Sequence, residues 1–289
     1  MALTRQSRPT VGVIGLGIIG SRVAAGLRHH GFEGWVWNRT RKTDPNFVGS
    51  PSEVVEKCEV IQLFLADAPA TLSVLDSVAA KLTADHVVLC HGTIGLEGTL
   101  EAAKRVQQRG AQFLDAPFTG SKGAAEKREL VYYLGGDPKV AERVRGVLEA
   151  SSKAILYVGE IGQAAVVKVA TNLISAATVQ VLAEALALTV KAGIPAEALV
   201  RAVELNAMRS GVTDLKLPKM LSQDYEPHFS LKHMFKDVQL GVQLAKQLGL
   251  ELPATTAVGG SLNAGVSRGW GDLDYAAVAK GFQNGQERK

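Results

Sequence analysis

The sequence predicts an α/β Rossmann domain, doubly wound around a mainly parallel sheet, followed by an all-α C-terminal domain joined through a long interdomain helix. Three observations carry this. Short apolar runs alternate with helical text through the first half of the chain. The segment Gly15-Leu16-Gly17-Ile18-Ile19-Gly20 sits between the first such run and the first helical pattern. Beyond Gly159 the strand-like runs stop and the text reads as helix. The expected domains are residues 1–161 and 162–289.

In chain order, Val11-Gly12-Val13-Ile14 is a buried-strand run ending on the glycine segment. Residues 21–30 carry a helical pattern that stops at Gly31, and residues 34–38 and 60–65 are the next strand runs. Helical text over 70–82 leads to strands at 86–90, 112–115, 130–134 and 154–158. The longest apolar stretch, 164–192, contains only Lys168, Asn172, Gln180, Glu184 and Lys191 as long polar interruptions. It reads as one buried helix, roughly 40 Å long at about 1.5 Å per residue. A membrane span needs roughly 20 mostly uninterrupted apolar residues, so no membrane partner is expected. Breaks are expected at Gly193-Ile194-Pro195, Ser210-Gly211, Pro218 and Leu252-Pro253, and fraying over 283–289.

The glycines specify a bound dinucleotide. Gly15 permits the tight turn, Gly17 lets the backbone approach a pyrophosphate, and Gly20 allows close helix–strand packing. The helix N-terminus offers free N–H groups and positive dipole to the phosphates. The second strand run ends in Asn38-Arg39-Thr40, followed by Arg41-Lys42, where an NAD protein usually carries Asp or Glu. No carboxylate is there to repel a 2′-phosphate. Arg39 can pair with it and Thr40 can donate a hydrogen bond, so NADP is the expected cofactor. The plainer alternative is a solvated basic turn. Leu65 and Ala66, at the end of the third strand run, are grouped with the cofactor residues.

Lys168 and Asn172 are one helical turn apart and share a face of the long apolar helix. The lysine either snorkels out of a packed helix or, beside the amide, holds and protonates a substrate oxygen.

Bulk properties narrow the field. Hydrophobic residues make up 46% and charged residues 21% of 289, as in ordinary globular proteins. The net charge of +4 comes without any Lys/Arg block, so nucleic acid is not an expected partner. The two cysteines are far apart, which suits a reducing, cytoplasmic setting. The start, residues 1–9, is polar and has no signal-peptide core. The six histidines show no paired ligand spacing, so no metal is expected. No G-x-S-x-G elbow supports a hydrolase.

Together these residues resemble the β-hydroxyacid dehydrogenase family, the relatives of 3-hydroxyisobutyrate dehydrogenase, over nearly the whole chain. Besides the glycine segment, Asp115-Ala116-Pro117-Phe118-Thr119-Gly120-Ser121 resembles the family's substrate-binding segment. Gly159-Glu160-Ile161-Gly162 with Lys168-Val169-Ala170-Thr171-Asn172 resembles its catalytic segment, and Lys236-Asp237 its C-terminal motif. Within the family the likeness is nearest to glyoxylate and succinic semialdehyde reductases. These share the Asn-Arg-Thr turn, Gly120-Ser121-Lys122, residues 231–234 and the Gly-Asp-x-Asp of residues 271–274.

The resemblance implies an NADPH-dependent reductase of small carboxylate-bearing aldehyde or keto acids, acting as a homodimer with its substrate cleft between the domains. It implies Lys168 as general acid and Asn172 as substrate orienter. Thr119, with the Gly120 and Ser121 backbone, would bind the substrate carboxylate. Thr93 would lie near the nicotinamide ribose, and Lys236 would reach the cofactor. Phe229 and Asp237 would line or brace the pocket, with Lys236 and Lys232 as counter-charges for Asp237.

The chain departs from the pattern in places. Cys90-His91-Gly92-Thr93-Ile94 replaces Asp-x-Ser-Thr, Thr119 replaces serine, Arg128 stands where glycine is usual, and residues 206–209 differ. His91 reads as a loop histidine or, alternatively, as a pocket residue or second proton donor. Rival readings are a 3-hydroxyisobutyrate or tartronate semialdehyde-type dehydrogenase, an imine reductase, and a catalytically silent NADP-binding module.

Overall fold

A computed structural model describes residues 8–283. The polar start, residues 1–7, and the tail from residue 284 that was expected to fray lie outside the described residues. The chain divides into two compact units at Lys168/Val169, inside the long helix.

The first unit alternates strands and helices: β1 (Val11–Ile14), α1 (Gly20–His29), β2 (Gly34–Trp37), α2 (Pro51–Lys57), β3 (Val60–Leu63), α3 (Ala68–Val78), β4 (Val87–Cys90), α4 (Gly95–Gln107), β5 (Gln112–Asp115), β6 (Phe118–Thr119), α5 (Lys122–Glu126), β7 (Leu130–Gly135), α6 (Pro138–Glu149) and β8 (Ser152–Gly159). Strands β2-β1-β3-β4-β5 are all parallel. β7 then reverses: β5 and the two-residue β6, which the sequence reading missed, pair with it antiparallel, and β8 pairs with it in parallel. The sheet is thus mainly parallel, as expected.

The apolar strand runs are continuous because both faces of the sheet are covered. Val11, Val13, Val87, Leu89 and Leu114 enter one core with Val23, Leu27 and Val144. Their neighbours Ile14, Ile61, Leu63, Val88 and Phe113 enter a second core with Val54, Leu75 and Val106. The alternation is the period of two that a pleated strand imposes. Two expected strand runs overshoot, since β2 ends at Trp37 and β3 at Leu63. The chain leaves the ladder there. Asn38 instead uses its side chain, accepting from Leu16 N at 2.9 Å.

The long helix α7 (Gln163–Lys191) leads into the second unit, which holds α8 (Ala196–Glu204), α9 (Gly211–Ser222), α10 (Leu231–Gln247), α11 (Pro253–Ser267), a 3₁₀ turn (Tyr275–Ala279) and α12 (Lys280–Gln283). Ala176, Val179, Leu182, Ala183 and Leu186 of α7 form a helical stripe in the core of this unit. The expectation that α7 is a buried helix holds for one face and is corrected for the other. Ile174, Val181 and Leu188 recur every seventh residue and are 68%, 60% and 73% exposed. One helix face packs within the unit; the apolar residues opposite point outward. By length and composition α7 would suffice to cross a membrane. Two of its polar side chains are bonded within the protein, however: the buried Asn172 donates to Asp237, and the buried Gln180 to the exposed Glu184.

The expected break at Pro218 is also corrected: the proline lies inside α9. Proline removes one N–H and strains one turn, but α9 is anchored by a reciprocal Ser210/Thr213 capping box. The helix ends at Gln223, which takes the left-handed conformation at φ +55°.

Candidate active site

In open parallel sheets, ligands bind beyond the carboxyl ends of the strands where the winding reverses. Here β1 lies between β2 and β3, so the reversal falls at β1/β3. The glycine segment follows β1, Leu65 and Ala66 follow β3, and Thr93 follows β4. The last two loops are adjacent: a Cβ on Gly92 would stand 2.7 Å from Leu65 O.

The three glycines are required for different reasons. Gly15 has φ +102°, and a Cβ there would meet Phe64 O at 2.3 Å. A Cβ on Gly20 would meet Gly15 O at 2.0 Å, so α1 and the turn touch through backbone alone. A Cβ on Gly17 meets nothing within 4 Å. The protein leaves that side open, as close approach of a ligand to the backbone requires. Helix α1 starts at Gly20 after Ile19, with no side-chain cap and no acidic residue in its first turn. No carboxylate of that turn therefore offsets the positive end of the helix dipole, which favours an anion. Ile18 is 44% exposed on the same loop. These features fit a dinucleotide pyrophosphate.

Asn38 ties this loop to the next. Its Oδ1 accepts from Leu16 N, and its Nδ2 donates to Thr40 O at 2.7 Å. Arg39 and Thr40 are exposed. Arg41 lies over the Phe47 ring and Arg28 pairs with Asp44, while Arg39 has no ion-pair partner among the described residues.

The substrate-like segment begins at the end of β5. Thr119 is half-buried, Gly120 has φ +142°, and Ser121 caps α5 through its hydroxyl. The Ser121 side chain is thus occupied locally, which leaves its backbone for the role expected of it. At the head of the segment, Asp115 is 2% exposed. Its Oδ2 accepts from Gly162 N at 3.1 Å and Ala165 N at 2.8 Å, at the start of α7. Burial pushes its carboxyl up to about 7. The sequence reading gave Asp115 no role of its own, because its partners lie 47 and 50 residues away.

Lys168 is half-buried, one turn of α7 before the buried Asn172. In the second unit Asn172 Nδ2 donates to Asp237 Oδ2 at 2.6 Å, and Asp237 Oδ1 lies 2.9 Å from Lys236 Nζ. Of the two counter-charges expected for Asp237, Lys236 is present. Lys232 is not, because it pairs with Asp272 at 2.6 Å. Phe229 is half-buried, its ring centre 6.1 Å from that of Tyr275 and 6.0 Å from that of His233.

His91 is corrected. It is 1% exposed, stacked on Phe64 with ring centres 4.3 Å apart, and near Tyr132. Burial pushes its imidazole down to about 4, so it is neutral at pH 7 and not a proton donor. Its Nδ1 lies 2.6 Å from Ala116 O and its Nε2 3.0 Å from Gln62 Oε1. A neutral ring donates through one nitrogen only. Nδ1–H to Ala116 O, with the Gln62 amide turned over, satisfies both contacts. The turned amide also gives Gln62 Nε2 the partner it otherwise lacks. Cys90 is buried beside Asp115 in the β4–β5 register, its thiol pushed up to about 12 by burial first and Asp115 second.

Two family profiles match in tandem. One, described as the NAD binding domain of 6-phosphogluconate dehydrogenase, covers residues 10–159. The other, described as the NAD-binding of NADP-dependent 3-hydroxyisobutyrate dehydrogenase, covers residues 162–282. Glyoxylate/succinic semialdehyde reductase 1 of Arabidopsis thaliana is 30% identical across 96% of this chain and 99% of its own length. Among solved structures, 3-hydroxyisobutyrate dehydrogenase of Mycobacterium tuberculosis with L-serine has a TM-score of 0.85 at 23% identity, covering 96% of this chain and 100% of that one. Psf3 in complex with NADP+ and 2-OPP has a TM-score of 0.86 at 21% identity, covering 93% and 99%. These two share the fold.

A Rossmann unit with an open glycine turn, followed by a helical unit, defines an NAD(P)-dependent oxidoreductase. The chain belongs to the β-hydroxyacid dehydrogenase family, whose members act on CH–OH groups.

Proposed function

We propose that this protein reduces small aldehyde or keto acids, glyoxylate and succinic semialdehyde first, to hydroxy acids with NADPH. The observation that carries the reading is Lys168, set one turn before Asn172 in a helix whose neighbouring residues are apolar. When bound, the cofactor supplies the hydride to the carbonyl carbon.

The residues of the chain supply the rest. Lys168 Nζ donates a proton to the carbonyl oxygen as negative charge develops there, and its charge stabilises the alkoxide. The neutral amine is then reprotonated from solvent. Thr119 and the N–H groups of Gly120 and Ser121 hold the substrate carboxylate. Asn172 orients the substrate, with its amide braced by Asp237. Phe229 provides an apolar wall, while Thr93 and Lys236 serve the cofactor. Arg39 and Thr40 take the 2′-phosphate of NADP. That preference is supported by the exposure of both residues and by the two bonds of Asn38 that shape the turn.

A homodimer completes the reading: the outward apolar residues Ile174, Val181 and Leu188 suit cover by a second copy. Both cysteines are free and buried, which accords with a reducing, cytoplasmic location.

The test is NADPH oxidation with glyoxylate, succinic semialdehyde, tartronate semialdehyde and a cyclic imine, using NADH as control. Turnover of an aldehyde acid with NADPH supports the reading; turnover of the imine alone overturns it. Lys168→Ala is expected to lower kcat by about 10²- to 10⁴-fold, the range for a lost general acid, with NADPH affinity retained. Unchanged turnover would remove the lysine from the chemistry.

A further inference from the structure

We propose that Asp115 is the positioning residue for Lys168. Through its hydrogen bonds it fixes the start of α7 against the strand that continues into the Thr119–Ser121 segment. The inference rests on the reading of Lys168 as general acid.

Gly162 and Ala165 carry N–H groups at the start of α7, which have no partner within the helix itself. Both donate to one atom, Asp115 Oδ2, at 3.1 and 2.8 Å. No acidic residue lies in the first turn of α7 to take over, and Gln163 Oε1 turns back to Glu160 N at 3.1 Å. Lys168 follows Ala165 by three residues, about 4.5 Å along the helix axis.

On the other side, Asp115 ends β5, and Thr119 to Ser121 follow within six residues. One buried side chain thus joins the segment proposed to hold the substrate carboxylate to the helix turn that delivers the proton. The approach has little slack. Gly162 has φ +94°, and a Cβ there would meet Leu96 Cδ1 at 2.5 Å. Gly136 N also binds Gly159 O at 2.8 Å, fixing the chain just before the turn. Because both bonds use a single oxygen, an amide at position 115 can keep them, whereas a methyl group cannot.

The test compares Asp115→Ala, Asp115→Asn and Asp115→Glu with the native protein and Lys168→Ala, using NADPH and glyoxylate. Asp115→Ala is expected to lower kcat by about tenfold to a hundredfold, the cost of misplacing a reacting group by about 1 Å. Its affinity for NADPH stays within about twofold, since the glycine loop is untouched. Asp115→Asn keeps kcat within about threefold of native. A second readout needs no substrate: in Asp115→Ala, amide hydrogen exchange at Gly162 and Ala165 accelerates at least about tenfold while that of β1 is unchanged.

Native kcat or native exchange in a folded Asp115→Ala overturns the proposal. So does an Asp115→Asn as impaired as the alanine, since charge rather than position would then matter. If Asp115→Ala does not fold, Asp115→Glu asks the same question: its extra methylene displaces the turn while keeping the acceptor, so kcat is expected to fall by about tenfold or more, and a native kcat overturns the proposal. Full activity in Lys168→Ala removes the general-acid reading instead. A dead Lys168→Ala beside a fully active Asp115→Ala removes only the positioning role.

Discussion

His91 gives this protein an acid-sensitive contribution to its stability. The imidazole is neutral in the fold and held at about 4, against an ordinary value of 6.5, because burial disfavours its charged form. The unfolded chain therefore binds a proton that the folded one refuses. The stabilisation is present above pH 6.5 and is lost as pH falls through about 4. Each pH unit between the two values corresponds to about 1.4 kcal/mol, so the full effect is about 3 kcal/mol. Asp115 works in the opposite sense. Its carboxyl is raised from 3.8 to about 7, so its contribution is complete below pH 3.8 and is lost as pH rises through about 7.

The two slopes overlap and partly cancel in the native protein, so a variant is needed to separate them. His91→Gln removes one titration and leaves Asp115 in place. At pH 8 it is expected to be about 1–2 kcal/mol less stable, through lost ring packing on Phe64 and Tyr132. On going from pH 8 to pH 4, that deficit shrinks and then reverses by about 3 kcal/mol in total. Urea denaturation of both proteins across this range gives the difference directly. A difference that stays constant from pH 8 to pH 4 would falsify the assignment of His91 as a buried neutral base.

Further expectations follow from the cofactor loop and from α7. Gly17→Ala, with nothing within 4 Å of the added carbon, keeps the native Tm but loses NADPH affinity by at least about tenfold, as titration calorimetry would report. Gly20→Ala, whose Cβ would stand 2.0 Å from Gly15 O, loses stability as well; equal Tm values for the two variants would contradict this division. Arg39→Glu is expected to reduce the preference for NADPH over NADH by about tenfold to a hundredfold, the value of a charge-assisted contact of about 1.5–3 kcal/mol. An unchanged ratio of kcat/KM values would point to a merely solvated turn. Val181→Glu, at a position 60% exposed on α7, is expected to shift light-scattering mass from dimer to monomer with the helical circular dichroism retained; an unaltered mass places the interface elsewhere.

The order of elements, the glycine turn and the change from α/β to helical text were legible in the sequence because each rests on local rules. Strand periodicity, glycine's freedom at positive φ and helical spacing act over a few residues. The Asn38-Arg39-Thr40 turn was visible for the same reason, as was the shared face of Lys168 and Asn172. Local rules failed at Pro218, where a capped helix tolerated a residue that usually breaks one.

The tertiary structure alone decided what each polar side chain does, because that depends on partners distant in sequence. Asp115 meets Gly162 and Ala165 only when β5 is laid beside the start of α7. His91 becomes a buried neutral base only when Phe64, Gln62 and Ala116 close around it. Asp237 takes Lys236 and not Lys232 because Asp272 captures the latter. The two faces of α7 carry similar apolar residues in sequence. Only packing determines that Ala176, Val179 and Leu186 turn inward while Ile174, Val181 and Leu188 remain outside.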